Sequence, residues 1–260
     1  MAEDVFFTAD RRKVALFELR KIMEYADSLG IKEHVSPGFG TLLGVVMLYD
    51  FIRKDQDMDM CVDTDHVTHE QEDAFFELIK SPIEIPKSSK YWKVFEKLPK
   101  PPHYKQKEDG THVYKRGLWT GRHKGPTHRS DNGRILWMSI GILEVPHGVK
   151  SCVWFTFRYN GYVWHTKGRV WTGKFLNGKY GVKPEDDAIA KGVPAEYYDQ
   201  GSMTTKFHGV DLNVPVGSGE LCDMWYKAWS PWGGGKSSKK ATLNIPKWSD
   251  HKRWRVRVKG

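Results

Sequence analysis

The 260-residue chain has little cysteine: only Cys61, Cys152 and Cys222, far apart and without a CxxC pair. This count excludes a cysteine zinc finger and a disulfide framework, and it leaves the three as small buried apolar residues of a reducing compartment. No stretch approaches the roughly 18–20 consecutive apolar residues of a membrane helix. The opening MAEDVFFTADRR lacks the basic, apolar and small-residue succession of a secretory signal, so a cytoplasmic location is expected. No Gly-x-Ser-x-Gly elbow, cysteine-nucleophile arrangement or internal repeat is visible. The run GGGKSS at 233–238 falls short of a P-loop, because Ser230 stands at the first glycine position and no strand precedes it; it reads as a hinge.

The hydrophobic share of 39%, a third of it aromatic, is enough for the core of one elaborated domain. Acidic residues run out near the end. Between Lys236 and Gly260 nine Lys or Arg face one acid, Asp250, so this tail carries +8 of the net +9 and residues 1–235 only +1. We therefore expect a domain over 1–235 and a basic tail over 236–260. With Trp248 and Trp254, the tail suits an anionic partner such as nucleic acid, an anionic glycan or a lipid headgroup. The other reading is a solvated edge strand whose cations discourage aggregation.

Along the chain, Leu16, Leu19, Met23 and Ala26 predict a helix over 10–29, with Asp10 as N-cap and Gly30 as terminator. Pro37, Gly38 and Gly40 break the chain, and TLLGVVMLY then reads as a short buried helix. DMDMCVD alternates in period two, as a strand does. Thr64 or Asp65 can cap a helix over about 67–80. WKVFEKL and HVYKRGLW are expected as strands. Asn160-Gly161, between the aromatic runs CVWFTFRY and YVWHT, predicts a hairpin inside a β-meander. Residues 177–200 read as loops and a short helix, and ELCDMWYKAW as a later helix.

The segment GFGTLLGVVMLYDFIRKDQDMDM, residues 38–60, sets three carboxylates beside the most apolar part of the chain. If 55–63 is extended, Asp55, Asp57, Asp59 and Asp63 share one face while Met58, Met60 and Val62 point into the core. Alternate Cα atoms lie about 6.6 Å apart in a strand, close enough for two carboxylates to converge on one hard cation. A divalent metal removes the repulsion between them. A Mg²⁺ or Mn²⁺ ion held this way aligns a phosphate and neutralises charge as a bond to phosphorus breaks. The plainer reading makes Asp55 and Asp63 turn and cap residues and leaves Asp57 and Asp59 on a solvated strand.

Residues 40–60 resemble the signature of the LicD and fukutin-related transferases. In that signature a Gly-Thr-Leu-Leu-Gly turn and helix leads through Phe-Ile to an alternating aspartate strand, and Gly40 to Gly44, Phe51, Ile52, Asp55, Asp57 and Asp59 match it without a gap. The resemblance implies an α+β, nucleotidyltransferase-like mixed sheet with flanking helices, here elaborated by the aromatic meander and the basic tail. It implies that Gly40 and Thr41 contact the donor's phosphates, that Asp57 and Asp59 hold the metal, and that Asp55 is a third member or supports the pair. The chain departs from the pattern at Met47, where an arginine is usual, and at Arg53-Lys54, where Pro-Trp is frequent; those two cations can supply phosphate contacts instead. A later strand that usually carries another aspartate offers Ser139 or Gly141, with Glu144 close by as the candidate third carboxylate or base. The run FHGVDLNVPVGSGELCDMWYKAW is similar to the family's closing pattern.

The implied function is metal-dependent transfer of a phosphorylated group, of phosphocholine or phospho-alditol type, from a CDP-activated donor to a glycan or related hydroxyl acceptor. Nucleotide transfer and DxD sugar transfer remain alternatives, as does a non-catalytic module that binds nucleic acid or an anionic surface. Arg116, Arg122, Lys124, Arg129 and Arg134 form either a wall for a diphosphate or a solvated face. His103, His112, His123 and His128 match no common zinc spacing and read as solvated or phosphate-facing. The aromatics from Trp154 to Trp164 read first as hairpin packing, with sugar or base stacking as a further use.

Overall fold

The computed structural model describes residues 8–52, 55, 57–98, 100, 103–118, 127–129, 135–141, 149–159, 162–166 and 190–222. Arg53, Lys54, Arg122, Lys124, Arg134, His123, Glu144, Asn160, Gly161 and the tail from Lys236 lie outside them.

Helix α1 (Ala9–Ser28) buries Leu19, Met23 and Ala26 as its periodicity demands, together with Val14, Phe17 and Ile22. Its cap is Thr8, not Asp10: the Thr8 hydroxyl accepts from the Arg11 amide, and Asp10 lies in the first turn, where the helix dipole favours a carboxylate. Gly30, at φ +68°, ends it. A 3₁₀ turn (Lys32–His34) leads to strand β1 (Val35–Pro37), then to α2 (Phe39–Leu43) and a wider π turn (Gly44–Leu48). The buried helix read at 41–49 thus starts two residues earlier. A Cβ on Gly44 would meet the Asp50 carbonyl oxygen at 2.6 Å, so only glycine lets the chain fold back there.

Strand β2 runs Asp57–Asp63, shorter than expected because Asp55 precedes it. A 3₁₀ turn (Thr64–His66) follows. Helix α3 (His69–Lys80) then begins with a capping box between Thr68 and Gln71 rather than a cap at Thr64 or Asp65. After β3 (Ile83–Ile85), WKVFEKL forms helix α4 (Trp92–Lys97), not a strand. Tyr91, Val94, Phe95 and Leu98 fall on one helical face, and Phe17 of α1 packs edge-on against Tyr91 and Phe95 at 5.3 and 5.0 Å. The strand read over HVYKRGLW divides into β5 (His112–Tyr114), which follows β4 (Lys105–Gln106), and β6 (Gly117–Leu118).

The remaining strands are β7 (Thr127–Arg129), β8 (Ile135–Gly141), β9 (Lys150–Tyr159), β10 (Tyr162–Thr166), β11 (Ala190–Pro194), β12 (Ser202–Phe207) and β13 (Val210–Pro215). A short α5 (Glu196–Asp199) follows β11, and a helical turn begins at residue 218. The protein is α+β. Its main sheet runs β1-β2-β9-β10-β11, with β8 also on β9 and β6 and β7 on β8; β3-β5-β4 and β12-β13 form two smaller sheets. The main sheet is mixed, since β2 lies antiparallel to β1 and parallel to β9. Tyr159 pairs with Tyr162, so β9 and β10 form the expected hairpin with two residues between them.

The core holds one buried ion pair. Arg116 is 3% exposed and Glu18 1%. The guanidinium donates to both Glu18 oxygens, at 3.2 and 2.5 Å, and to the Ile79 carbonyl at 2.7 Å, with the Tyr25 ring 5.5 Å away. Arg116 therefore ties α1 to α3 and is no part of a diphosphate wall. His112 is also buried rather than solvated: it stacks on Trp92 at 4.8 Å and shares a 2.7 Å hydrogen bond with the Tyr104 hydroxyl.

Candidate functional site

The parallel pairing of β2 with β9 builds the site. Asp57 lies opposite Lys150, Asp59 opposite Cys152, Cys61 opposite Trp154 and Asp63 opposite Thr156. Because side chains alternate along a strand, all eight belong to one face, while Met58, Met60 and Val62 are fully buried on the other, as expected. On the site face, the Lys150 ammonium donates to Asp57 Oδ2 at 2.9 Å and the Cys152 thiol to the same oxygen at 3.4 Å. The Trp154 indole donates to Asp59 Oδ1 at 2.8 Å, and Trp154 meets Phe39 edge-on at 5.4 Å. Asp57 and Asp59 are both half-buried, and an oxygen of each lies within 4.8 Å of the other and of Cys152 Sγ.

The glycine-rich segment holds this strand from the side of β1. The Gly38 amide donates to the Asp59 carbonyl at 2.9 Å, and the Asp59 amide donates to the Thr41 hydroxyl oxygen at 2.8 Å. A Cβ on Gly38 would lie 2.5 Å from Cys61 Sγ, so glycine is what allows this approach. Thr41 is 4% exposed and Gly40 is buried, so in this conformation both position Asp59 rather than face a ligand. Phe39 and Tyr49 bracket the α2 and π-turn segment with positive φ of 44° and 56°. Such backbone is costly for bulky residues and persists where surrounding structure enforces it, often beside functional sites.

The electrostatics follow from this packing. Asp59 has its pKa pushed well above the usual carboxylate range, chiefly by burial and then by the charges of Asp57 and Asp55; the Trp154 hydrogen bond and Lys150 pull the other way. For Lys150, burial works to lower the pKa, but the adjacent Cys152 sulfur and Asp57 carboxylate outweigh it and hold the ammonium above its ordinary range. Cys61 is raised by burial and by Asp59 and Asp63.

At the far end of the same face the picture changes. Arg158 pairs with Asp63 at 3.1 Å and also with Asp199, and its backbone amide donates to Asp65 at 2.7 Å. Asp63 is thus held by an arginine and separated from the Asp57–Asp59 pair.

Of the residues singled out from sequence, the structure brings Asp57 and Asp59 together, with Thr41 behind them and Asp55 just before the strand. Residues Ser139 and Gly141 fall on β8, in register with Cys152 and Lys150. Lys150, Cys152, Trp154 and Arg158 were missed as site residues. Their signal is the even-numbered positions of β9, legible only once β9 is known to lie parallel to β2. No family model matches the chain, and a search of curated proteins finds no match either.

Proposed function

We propose that the chain is a nucleotidyltransferase-like, metal-dependent transferase. It would move a phosphorylated group, of phosphocholine or phospho-alditol type, from a CDP-activated donor to a glycan or related hydroxyl acceptor. The observation that carries this reading is the convergence of Asp57 and Asp59 on one strand face, fixed from behind by the Gly38–Thr41 segment. The resemblance of residues 40–60 to the LicD and fukutin-related signature supplies the reaction class.

Two carboxylates fit Mg²⁺ or Mn²⁺, both oxygen-seeking ions; the Cys152 thiol suits a softer ion and here serves Asp57 as a hydrogen-bond donor. When bound, the ion supplies neutralisation of the donor diphosphate and of the departing nucleotide. Asp57 and Asp59 hold it, Trp154 orients Asp59, and Lys150 balances Asp57 until the ion arrives. Asp55 takes the proton of the attacking hydroxyl, with Glu144 the other candidate base. Gly40 and Thr41 act by holding Asp59; Arg53 and Lys54, between this segment and the strand, are the candidates for phosphate contact.

The test is thermal stabilisation by CDP-choline and by CTP, each with and without Mn²⁺, on the intact chain and on Asp57→Asn, Asp59→Asn. Metal-dependent stabilisation that the double variant loses supports the reading; no shift in a folded intact chain sinks it.

One observation favours a second reading. The Lys150 ammonium already neutralises Asp57, as in a non-catalytic binding module that needs no metal and meets an anionic partner through the basic tail. Salt-sensitive binding that is lost with residues 236–260 and indifferent to Asp57 would select it.

A further inference from the structure

Where the β2 and β9 face leaves the aspartate pair it opens into a cleft of about 340 Å³. This lies at the lower end of the roughly 300–1,000 Å³ that small-molecule sites occupy. Cys61, Asp63, Thr156 and Arg158 form its floor, which continues the row that carries Asp57 and Asp59. Asp63 is four residues beyond Asp59, or about 13 Å at the rise of a strand.

The lining has a definite chemistry. Three carboxylates, from Glu33, Asp63 and Asp199, face one guanidinium, Arg158, which Asp63 and Asp199 already engage. His34 and His66 stack at 5.1 Å with their planes 11° apart, making a flat wall. His66 Nδ1 lies 3.3 Å from Asp63, and His34 Nε2 lies 3.4 Å from Glu33. Acceptor oxygens therefore outnumber uncommitted donors, and the charge of the lining is negative with neutral imidazoles. A phosphate or a diphosphate is repelled here. A neutral ligand rich in hydroxyl donors is matched: its hydroxyls donate to the carboxylates and its ring lies against the imidazole wall.

We infer that this cleft binds a neutral polyhydroxylated segment of the acceptor, a sugar or alditol unit remote from the hydroxyl that reacts. The inference rests on the transferase reading for the word acceptor; the binding chemistry stands on the cleft alone. It gives the two ends of the strand face separate tasks, with the anionic donor at Asp57 and Asp59 and the hydroxylated partner at Asp63 and Asp199.

The experiment is saturation-transfer NMR on the intact chain with ribitol, maltotriose and chitotriose, and glucuronate as an anionic counterpart. Three variants accompany it: Ser202→Tyr, which fills the cleft from the β12 rim without changing charge, Asp199→Asn, and Asp57→Asn, Asp59→Asn. The expected result is binding of at least one neutral probe and weaker binding of glucuronate. Affinity for that probe should fall about tenfold in Ser202→Tyr and in Asp199→Asn, as for loss of a hydrogen bond to a charged group. It should stay within twofold in Asp57→Asn, Asp59→Asn. Absence of binding by all three neutral probes overturns the inference, as does binding that Ser202→Tyr and Asp199→Asn leave unchanged. Failure of the transferase reading is distinct from either: metal-dependent CDP-choline binding is then absent while neutral-probe binding persists.

Discussion

Replacing Arg116 with methionine separates a structural cation from a phosphate-binding one. Met keeps most of the length of the buried side chain but leaves the Glu18 carboxylate without its two charge-assisted hydrogen bonds and the Ile79 carbonyl without its donor. Breaking one half of a buried ion pair costs about 3–5 kcal/mol. Glu18 has a partial escape, because burial already holds its pKa above the usual value against the pull of Arg116. Without the guanidinium it rises further, so between its unfolded value near 4.5 and the new folded value the native chain holds the extra proton. Stability of the variant therefore falls as pH rises through that window, and the deficit shrinks toward acid. At neutral pH and a urea slope on the order of 3 kcal/mol/M, the unfolding midpoint should drop by about 1 M or more. Glu18→Leu together with Arg116→Met removes both charges and leaves the Ile79 carbonyl as the main loss, so the double variant should recover to within about 2 kcal/mol of the parent. A single-variant cost below about 1 kcal/mol, the range of a surface pair, refutes the buried-pair account. So does an Arg116→Met chain of normal stability that loses its response to CDP-choline.

Trp154→Phe keeps an aromatic ring against Phe39 but removes the indole donor to Asp59; it should cost about 1.5–3 kcal/mol in urea unfolding, and a cost under about 0.5 kcal/mol would discount that bond. Lys150→Met frees Asp57 of its competing cation, so Mn²⁺ affinity by calorimetry should rise about fivefold, the equivalent of ~1 kcal/mol for a partly exposed pair; an unchanged or weaker affinity argues for the metal-free reading. Gly38→Ala forces a Cβ onto Cys61 Sγ and should lower stability by about 1–3 kcal/mol, against no change if the segment can shift freely. Burial first, and the Lys100 charge second, lower the pKa of His112. Its contribution to stability is then complete above its ordinary value near 6.5 and is lost as pH falls below that, and His112→Phe should flatten this part of the pH–stability curve; identical slopes would exclude the histidine as its origin.

Much of this protein was legible where the signal is local. Period 3.6 found α1, period two found β2 and its buried methionines, and Asn160-Gly161 gave the spacing of the β9–β10 hairpin. The sequence also singled out Asp57 and Asp59, because charge at alternate positions beside an apolar run is visible without knowing any partner. It misread WKVFEKL, where apolar residues at 91, 94, 95 and 98 carry a helical period that a short window over 92–98 conceals. Partners were out of reach. Lys150 meets Asp57 from 93 positions away, and Arg116 meets Glu18 from 98, yet each is one cation among 41 in the chain. Nothing local to β9 marks it as the parallel neighbour of β2, and a shift of one residue in that register would turn Lys150, Cys152 and Trp154 to the opposite face. The residues that can carry charge at the site were thus determined by sequence alone. Which of those charges are balanced, buried or left facing a ligand was decided by the tertiary pairing of strands and helices, because an electrostatic interaction depends on distance in space and not along the chain.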